Sequence, residues 1–438
     1  MCAKRYHELF PQRKRVDWKR KRVDRKRKPV DWKQRFCARA GTTPAVTMEA
    51  TTALPQSAFR DRLAAVRRRI AEADVDAGVW FGARSIEYLT HFYHSQTERP
   101  VVLAVTDDRV AITVPKLEVI RVEENPHIDE VSHYFDYPGG DPMRTAVAML
   151  DRLGVETVAA DMDGAPGVMG YDGPPLSDAV AVQRQNWVDR MRWEKSDAEI
   201  AVMREATTWS HLAHQYLVDR MEPGVAQGTI SQEASMEASR AMFDALGTRY
   251  VPRTGIYFEG PTHTGLHSAE QTAEPHPYPT NRTLEVGDTI VTAAEANVDG
   301  YLSEIERTMF VGDPDEEQRH YFDIMLESQT IAIETAGPGV TYSAVAQAVW
   351  DHMVEQGVED RAFHHVGHGL GMGSHEPPYV DRGTEETMEP GHVFTVEPGI
   401  YVPGVGGFRH SDPVVVTDDG TELLNYWDRD LESNVVRV

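Results

Sequence analysis

Between His364 and Glu376 the chain reads His364-His365-Val366-Gly367-His368-Gly369-Leu370-Gly371-Met372-Gly373-Ser374-His375-Glu376, with four histidines set among four glycines. Glycine has no Cβ, so such a run lets backbone and ligand approach closely. That density of histidine rarely serves packing alone. Two other stretches supply carboxylates able to converge on it: Gly300–Thr308, with Glu304 and Glu306, and Thr395–Tyr401, with Glu397. A histidine and carboxylate site is the first expectation.

At 438 residues the chain exceeds what one hydrophobic core usually organises, so two domains are expected, and 41% hydrophobic residues can fill both. No uncharged apolar run is long enough to span a membrane, and the N-terminus lacks a secretory pattern. A soluble, cytoplasmic protein is the expectation. Both cysteines, Cys2 and Cys37, lie near the N-terminus, which excludes disulfides and thiolate metal sites from the rest.

Residues 1–47 hold 16 of the 45 basic but only 4 of the 69 acidic residues, a net +12 against −36 for the remainder. The acidic body repels nucleic acid and suits a halophilic milieu. The basic segment repeats near every seven residues, as Arg15-Val16-Asp17-Trp18-Lys19, Arg22-Val23-Asp24-Arg25-Lys26 and Pro29-Val30-Asp31-Trp32-Lys33. With almost no aliphatic side chains it cannot bury a core, and a disordered extension is expected. It reads either as a nucleic-acid arm or counter-charge for the acidic body, or as an over-extended start with the protein beginning at Met48.

Leu63, Val66 and Ile70 mark an amphipathic helix over 59–73, followed by a strand at Val79–Phe81. Strands at Val101–Val105, Val110–Val114 and Thr157–Ala160, with a helix near Met143–Leu153, give an α/β domain over 56–189. Residues 190–438 read as an α+β domain. Ser196 and Glu199 stand at capping-box spacing before a long helix, and a second runs near Gln232–Leu246. Strands 288–298 and 301–311 flank Asp299-Gly300 as a hairpin, helices follow near Glu316–Thr335, entered by Asp313-Pro314, and Tyr342–Glu355, and strands punctuated by glycine and proline end the chain.

Alternate strand residues share a face, so Glu304 and Glu306 point the same way, roughly 7 Å apart. Close like charges raise one pKa, which lets one carboxyl act as acid while another acts as base; the alternative is a solvated edge strand. Gly260–His267 reads as a turn-rich loop bearing His263 and His267.

In this order, Gly367-His368-Gly369-Leu370-Gly371 with His375-Glu376, Val396-Glu397-Pro398-Gly399 and Arg307-Thr308 after the hairpin resemble the pita-bread family of creatinase, Xaa-Pro dipeptidase and aminopeptidase P. The likeness covers about Phe59 to Val438 and implies a creatinase-like α/β N-terminal domain followed by an α+β pita-bread catalytic domain. Metallopeptidases of this family hold two metal ions with Asp, Asp, His, Glu and Glu. His368 and Glu397 match, whereas the remaining positions fall on Ala293, Glu304 and Ser411. Similarity to creatinase, which works without metal, implies His267 as the catalytic histidine and Glu306 and Glu397 as its glutamates. It also implies Arg99, in Glu98-Arg99-Pro100, as a carboxylate clamp lent to a neighbouring subunit of a homodimer.

Hydrolysis of an amide or amidine C–N bond needs an activated water and a protonated leaving nitrogen, both within reach of an imidazole. His267 takes that role; Glu306 and Glu397 bind a cationic or amidine-like group; His375 donates to the carbonyl oxygen. Glu304, His368 and Arg307 are expected among the substrate-binding residues. Three readings stay open: a metal-independent C–N hydrolase of a small substrate, an Xaa-Pro dipeptidase or aminopeptidase with one residual metal (Mn, Fe, Co or Zn) on Glu304, His368 and Glu397, and an inactive small-molecule-binding protein.

Overall fold

The structure is a computed structural model that describes residues 53–247, 250–253 and 260–438. The basic repeats and both cysteines lie outside the described residues. Helix α1 (Gln56–Ala73) buries Phe59, Leu63, Val66 and Ile70, the stripe that helical spacing requires, and ends at Asp74 in the left-handed conformation. It packs with α2 (Ala83–Thr90) on a six-stranded sheet built from β1 (Ala77–Trp80), β2 (Val102–Val105), β3 (Val110–Pro115), β4 (Glu130–Tyr134), β5 (Thr157–Ala160) and β6 (Ala181–Arg184). The spatial order is β4-β3-β2-β1-β5-β6, with β1 parallel to β5 and antiparallel to β2. Short α3 (Val119–Glu123) precedes β4, and α4 (Pro142–Arg152) covers the other face through Met143, Ala146, Met149 and Leu150.

Helix α5 (Trp187–Trp193) leads into α6 (Asp197–Val218), where Ser196 and Glu199 form the expected capping box. Helix α7 spans Gln227–Leu246, five residues longer at its start than the pattern suggests, because buried Gln227 ties the first turn to Gln271 and Thr280. Both helices lie on one face of a sheet ordered β17-β9-β8-β7, made of β7 (Thr262–Ser268), β8 (Thr289–Val298), β9 (Tyr301–Val311) and, at its edge, the C-terminal strand β17 (Val435–Val436). One expectation changes here: the segment containing His263 and His267 is a strand paired along its length with β8, not a loop. Strand β9 is flanked by β17 at Phe310 and Val311 and bridged at Glu306 to Ser411, and Glu304 is buried, so the alternative of a solvated edge does not hold.

Helices α8 (Glu316–Thr335) and α9 (Tyr342–Gln356) precede the last strands; α8 is capped by Asp315 and Gln318 rather than entered at Asp313-Pro314. Strands β10 (Gly367–Gly369), β11 (Glu376–Val380), β12 (Val393–Val396), β15 (Asp412–Val416) and β16 (Thr421–Leu423) form a sheet ordered β11-β10-β12-β15-β16, while β13 (Gly399–Val402) and β14 (Gly406–Arg409) pair separately.

The two domains share one core, in which Phe59 and Ile86 join Tyr301, Leu370 and Val393. A buried polar knot adds to it: Asp299, at the tip of the β8–β9 hairpin, accepts from Leu54 N at 2.8 Å and Arg253 at 3.2 Å and meets His91 Nε2 at 2.7 Å. Among the described residues no helix is long and apolar enough to cross a membrane.

Candidate active site

The hairpin turn has φ of 49° at Asp299 and 89° at Gly300, as a two-residue turn matched to strand twist requires. It fixes the register, and register decides which side chains share a face. Ser303, Ile305, Thr292 and Ala294 face the helices: Ser303 Oγ lies 2.9 Å from Thr207 Oγ1, and Thr292 Oγ1 lies 2.8 Å from His214 Nε2. The opposite face carries Val291, Ala293 and Glu295 on β8 and Glu304, Glu306 and Thr308 on β9, with His263, Gly265 and His267 aligned on β7.

The last strands complete the site against that face. Ser411 and Glu306 exchange backbone hydrogen bonds at 3.1 and 3.2 Å, stitching β9 to the chain just before β15. Gly367 has to be glycine, since a Cβ there would overlap the Thr395 carbonyl. This close approach seats His368, which is fully buried, with its N–H donating to Thr395 Oγ1 at 3.1 Å. Its Nδ1 lies 3.1 Å from the Gly369 carbonyl and so carries the proton, leaving Nε2 as a lone-pair donor with no hydrogen-bond partner.

That Nε2 and carboxylate oxygens of Glu304 and Glu397 all lie within 4.8 Å of one another. Burial, then the nearby Glu397 and Glu306, pushes Glu304 well above the usual carboxyl range; burial and Glu306 raise Glu397 to about 8. Burial and the neighbouring His375 lower His368 to about 3. The 3.3 Å contact of His368 with Glu397 therefore joins two neutral groups at pH 7 and is no ion pair. Ser411 Oγ donates to Glu304 at 2.7 Å.

Glu306 is engaged by the Arg409 guanidinium, which grips both its oxygens, one at 2.8 Å. Arg409 also donates to Tyr401 Oη at 3.1 Å, and that hydroxyl lies 2.8 Å from His364 Nε2. His375 stacks on His368 with ring centroids 3.7 Å apart. Its loop is held by Glu376, which accepts from Gly373 N at 3.1 Å and from Arg192, beside buried Lys195.

Of the residues expected from sequence, Glu304, Glu306, His368, Glu397 and His375 come together. His267 lies beside them, its pKa lowered by burial and by Arg409, its Nδ1 buried without a partner. Arg307 does not join them: it points to the helix face, is fully buried, and is spent on Asp412 and the Trp427 carbonyl, each at 2.8 Å. That corrects its assignment to substrate. Arg99 binds Asp136 and Glu98 within the N-terminal domain of its own chain. The grip of Arg409 on Glu306 also departs from the expectation that Glu306 is free for a substrate cation. Sequence reading missed Arg409, Tyr401, Glu295 and His276, the last close enough to lower the pKa of both His375 and His364. Strand parity would have found Glu295 and removed Arg307.

The donors fit one divalent cation: an unpartnered imidazole nitrogen and two carboxyls that burial otherwise keeps protonated. A bridged pair does not fit, because Ala293 offers no donor atom and the Ser411 hydroxyl is turned to Glu304.

The profile of metallopeptidase family M24 matches residues 201–418, and that of the Creatinase/Prolidase N-terminal domain residues 62–193. The uncharacterized peptidase YqhT of Bacillus subtilis is 24% identical over 371 residues, covering 84% of this chain and 99% of its own. An Xaa-Pro dipeptidase of Lactobacillus helveticus is 29% identical over 252 residues, 58% of this chain and 65% of its own. The crystal structure of dipeptidase PepE from Mycobacterium ulcerans superposes with a TM-score of 0.73 at 26% identity, covering 88% of this chain and 100% of that one. With its creatinase-type N-terminal domain and pita-bread catalytic domain, the chain belongs to the M24 family and is a hydrolase of the creatinase and Xaa-Pro peptidase group.

Proposed function

We propose that the protein hydrolyses the C–N bond of a small peptide, of the Xaa-Pro dipeptide class, with one divalent cation (Mn, Fe, Co or Zn) held by Glu304, His368 and Glu397. The observation that carries this reading is the buried, unpartnered Nε2 of His368 between two carboxyls. Such a cation supplies carbonyl polarisation and a water of lowered pKa. Ser411 orients Glu304 through its 2.7 Å hydrogen bond. His375, kept neutral by burial, donates to the substrate carbonyl oxygen, and His267, likewise neutral at pH 7, takes a proton from the attacking water and passes it to the leaving nitrogen as the C–N bond breaks. Arg409 fixes Glu306 at the rim and balances its charge. In a homodimer, Arg99 of a second copy would clamp the substrate carboxylate.

Metal analysis with turnover of Xaa-Pro dipeptides tests the reading. About one equivalent of cation per chain is expected, with activity lost on chelation and restored by one equivalent. Full activity in cation-free protein would overturn it.

A second reading is favoured by the Ser411 bond, which satisfies Glu304 without a cation. It is the metal-independent hydrolase with His267 as proton shuttle and Glu306 and Glu397 as its glutamates, and it predicts chelator-resistant turnover of N-carbamimidoyl or cyclic amidine acids.

A further inference from the structure

The sheet face that carries the glutamates has a depression in it. Register sets His263, Glu295 and Glu304 in one row across β7, β8 and β9, and Gly265, Ala293 and Glu306 in the next, with His267 and Val291 beyond. The middle row is nearly bare: a Cβ at Gly265 would meet no atom within 4 Å, and Ala293 ends at its methyl. Glu295 stands on one side of this floor and His267, with its buried unpartnered Nδ1, on the other. Glu295 is itself half-buried; among the described residues it has neither a hydrogen bond nor an ion pair, and its one favourable electrostatic neighbour is His263, directly opposite on β7. Glu306, its neighbour on this face, has Arg409.

We propose that the depression is a subsite for a protonated amine, the free α-ammonium of a peptide substrate, and that Glu295 is the residue that selects it. A carboxylate half withdrawn from water with no hydrogen bond or ion pair is costly, and a cation arriving with the substrate reduces that cost. An ammonium is compact and carries three donors, which suits a hollow floored by glycine and alanine and flanked by Glu295, Glu304 and Glu306. Directly opposed residues lie about 5 Å apart across strands, so an amine held by Glu295 stands one position from Glu304. Only the Cα separates a peptide's α-nitrogen from its first carbonyl carbon. The first peptide bond is thereby delivered to the Glu304, His368 and Glu397 cluster, and an N-blocked peptide has nothing to offer Glu295.

This inference takes its substrate class from the peptide-hydrolase reading, but its test is binding. Affinities of glycyl-proline and N-acetyl-glycyl-proline are measured by calorimetry on the wild-type full chain and on Glu295→Gln. The wild type is expected to prefer the free amine by about tenfold or more, the scale of one charged hydrogen bond. Glu295→Gln loses that preference through the free peptide alone, leaving the acetylated peptide unchanged. Glu295→Asp, which keeps the charge, retains part of it and guards against a misfolded glutamine variant. Equal affinities in the wild type, a preference that survives Glu295→Gln, or no binding of glycyl-proline would each overturn the subsite. Turnover without the preference sinks this inference alone; the preference without turnover sinks the hydrolase reading and leaves the subsite standing.

Discussion

Cation binding at Glu304, His368 and Glu397 should be strongly proton-coupled. Both carboxyls are raised by burial, Glu397 to about 8 and Glu304 well above the usual carboxyl range, whereas His368 is lowered to about 3 and needs to lose no proton above pH 4. At pH 7 a carboxyl titrating near 8 is about nine-tenths protonated, so Glu397 alone releases close to one proton per cation, with Glu304 adding to it, which gives about a tenfold gain in affinity per pH unit or more. The gain levels off as pH passes the higher of the two values. Titrating Mn2+ into cation-free protein at pH 6, 7 and 8, in two buffers of different ionisation enthalpy, counts the protons directly. Fewer than about half a proton released at pH 7 would mean the carboxyls are already ionised and the burial argument is wrong. Linkage fixes the sign for folding as well. The unfolded chain ionises these groups near 4.5, so the stability they lend the cation-free protein is complete below that pH and declines as pH climbs toward about 8.

Arg307→Met leaves Asp412 buried without its cation and should cost about 3–5 kcal/mol in urea unfolding, with KM unchanged in the folded fraction; a loss under about 1 kcal/mol would refute the structural role given to this side chain. Gly367→Ala drives a methyl into the Thr395 carbonyl, so it should cost about 1–3 kcal/mol and weaken Mn2+ binding by displacing His368, and full affinity would argue against the close approach. His267→Ala is expected to abolish turnover with little change in the unfolding midpoint; retained activity would remove it from the proton path. His276→Ala should raise the pKa of His375, read by NMR titration, because His276 depresses it.

Features carried by local pattern were legible in the sequence. The Asp299-Gly300 hairpin, the Ser196 and Glu199 cap and the core stripe of α1 each follow from a few adjacent residues, and each stands where expected. His368, Glu304 and Glu397, which the sequence singled out, lie together in the structure, with Glu306 on the same strand face. Strand β7 escaped because its threonines bury hydroxyls against Ser235 and Ser239 of α7, at 3.0 and 2.8 Å, a polar packing that reads as loop composition. Arg307 was drawn into the site by adjacency in sequence, although parity with Glu306 sends it through the sheet. Arg409 could not be foreseen as the partner of Glu306, since that pairing depends on the return of a segment 103 residues downstream.

The knot at Asp299 gives the N-terminal domain a hold on the chemistry. The loop that turns the strand bearing Glu304 and Glu306 is moored to His91, at the end of α2, and to Arg253, which also grips Glu87 at 2.8 Å. A fragment starting at α6 would keep Arg253 but lose Leu54 and His91 from Asp299, Glu87 from Arg253, and more than half of the shared core, unseating the hairpin and its glutamates from their place beside His368. Removing the first domain should thus disarm the second even though, among the described residues of a single chain, it contributes no side chain to the His368 cluster.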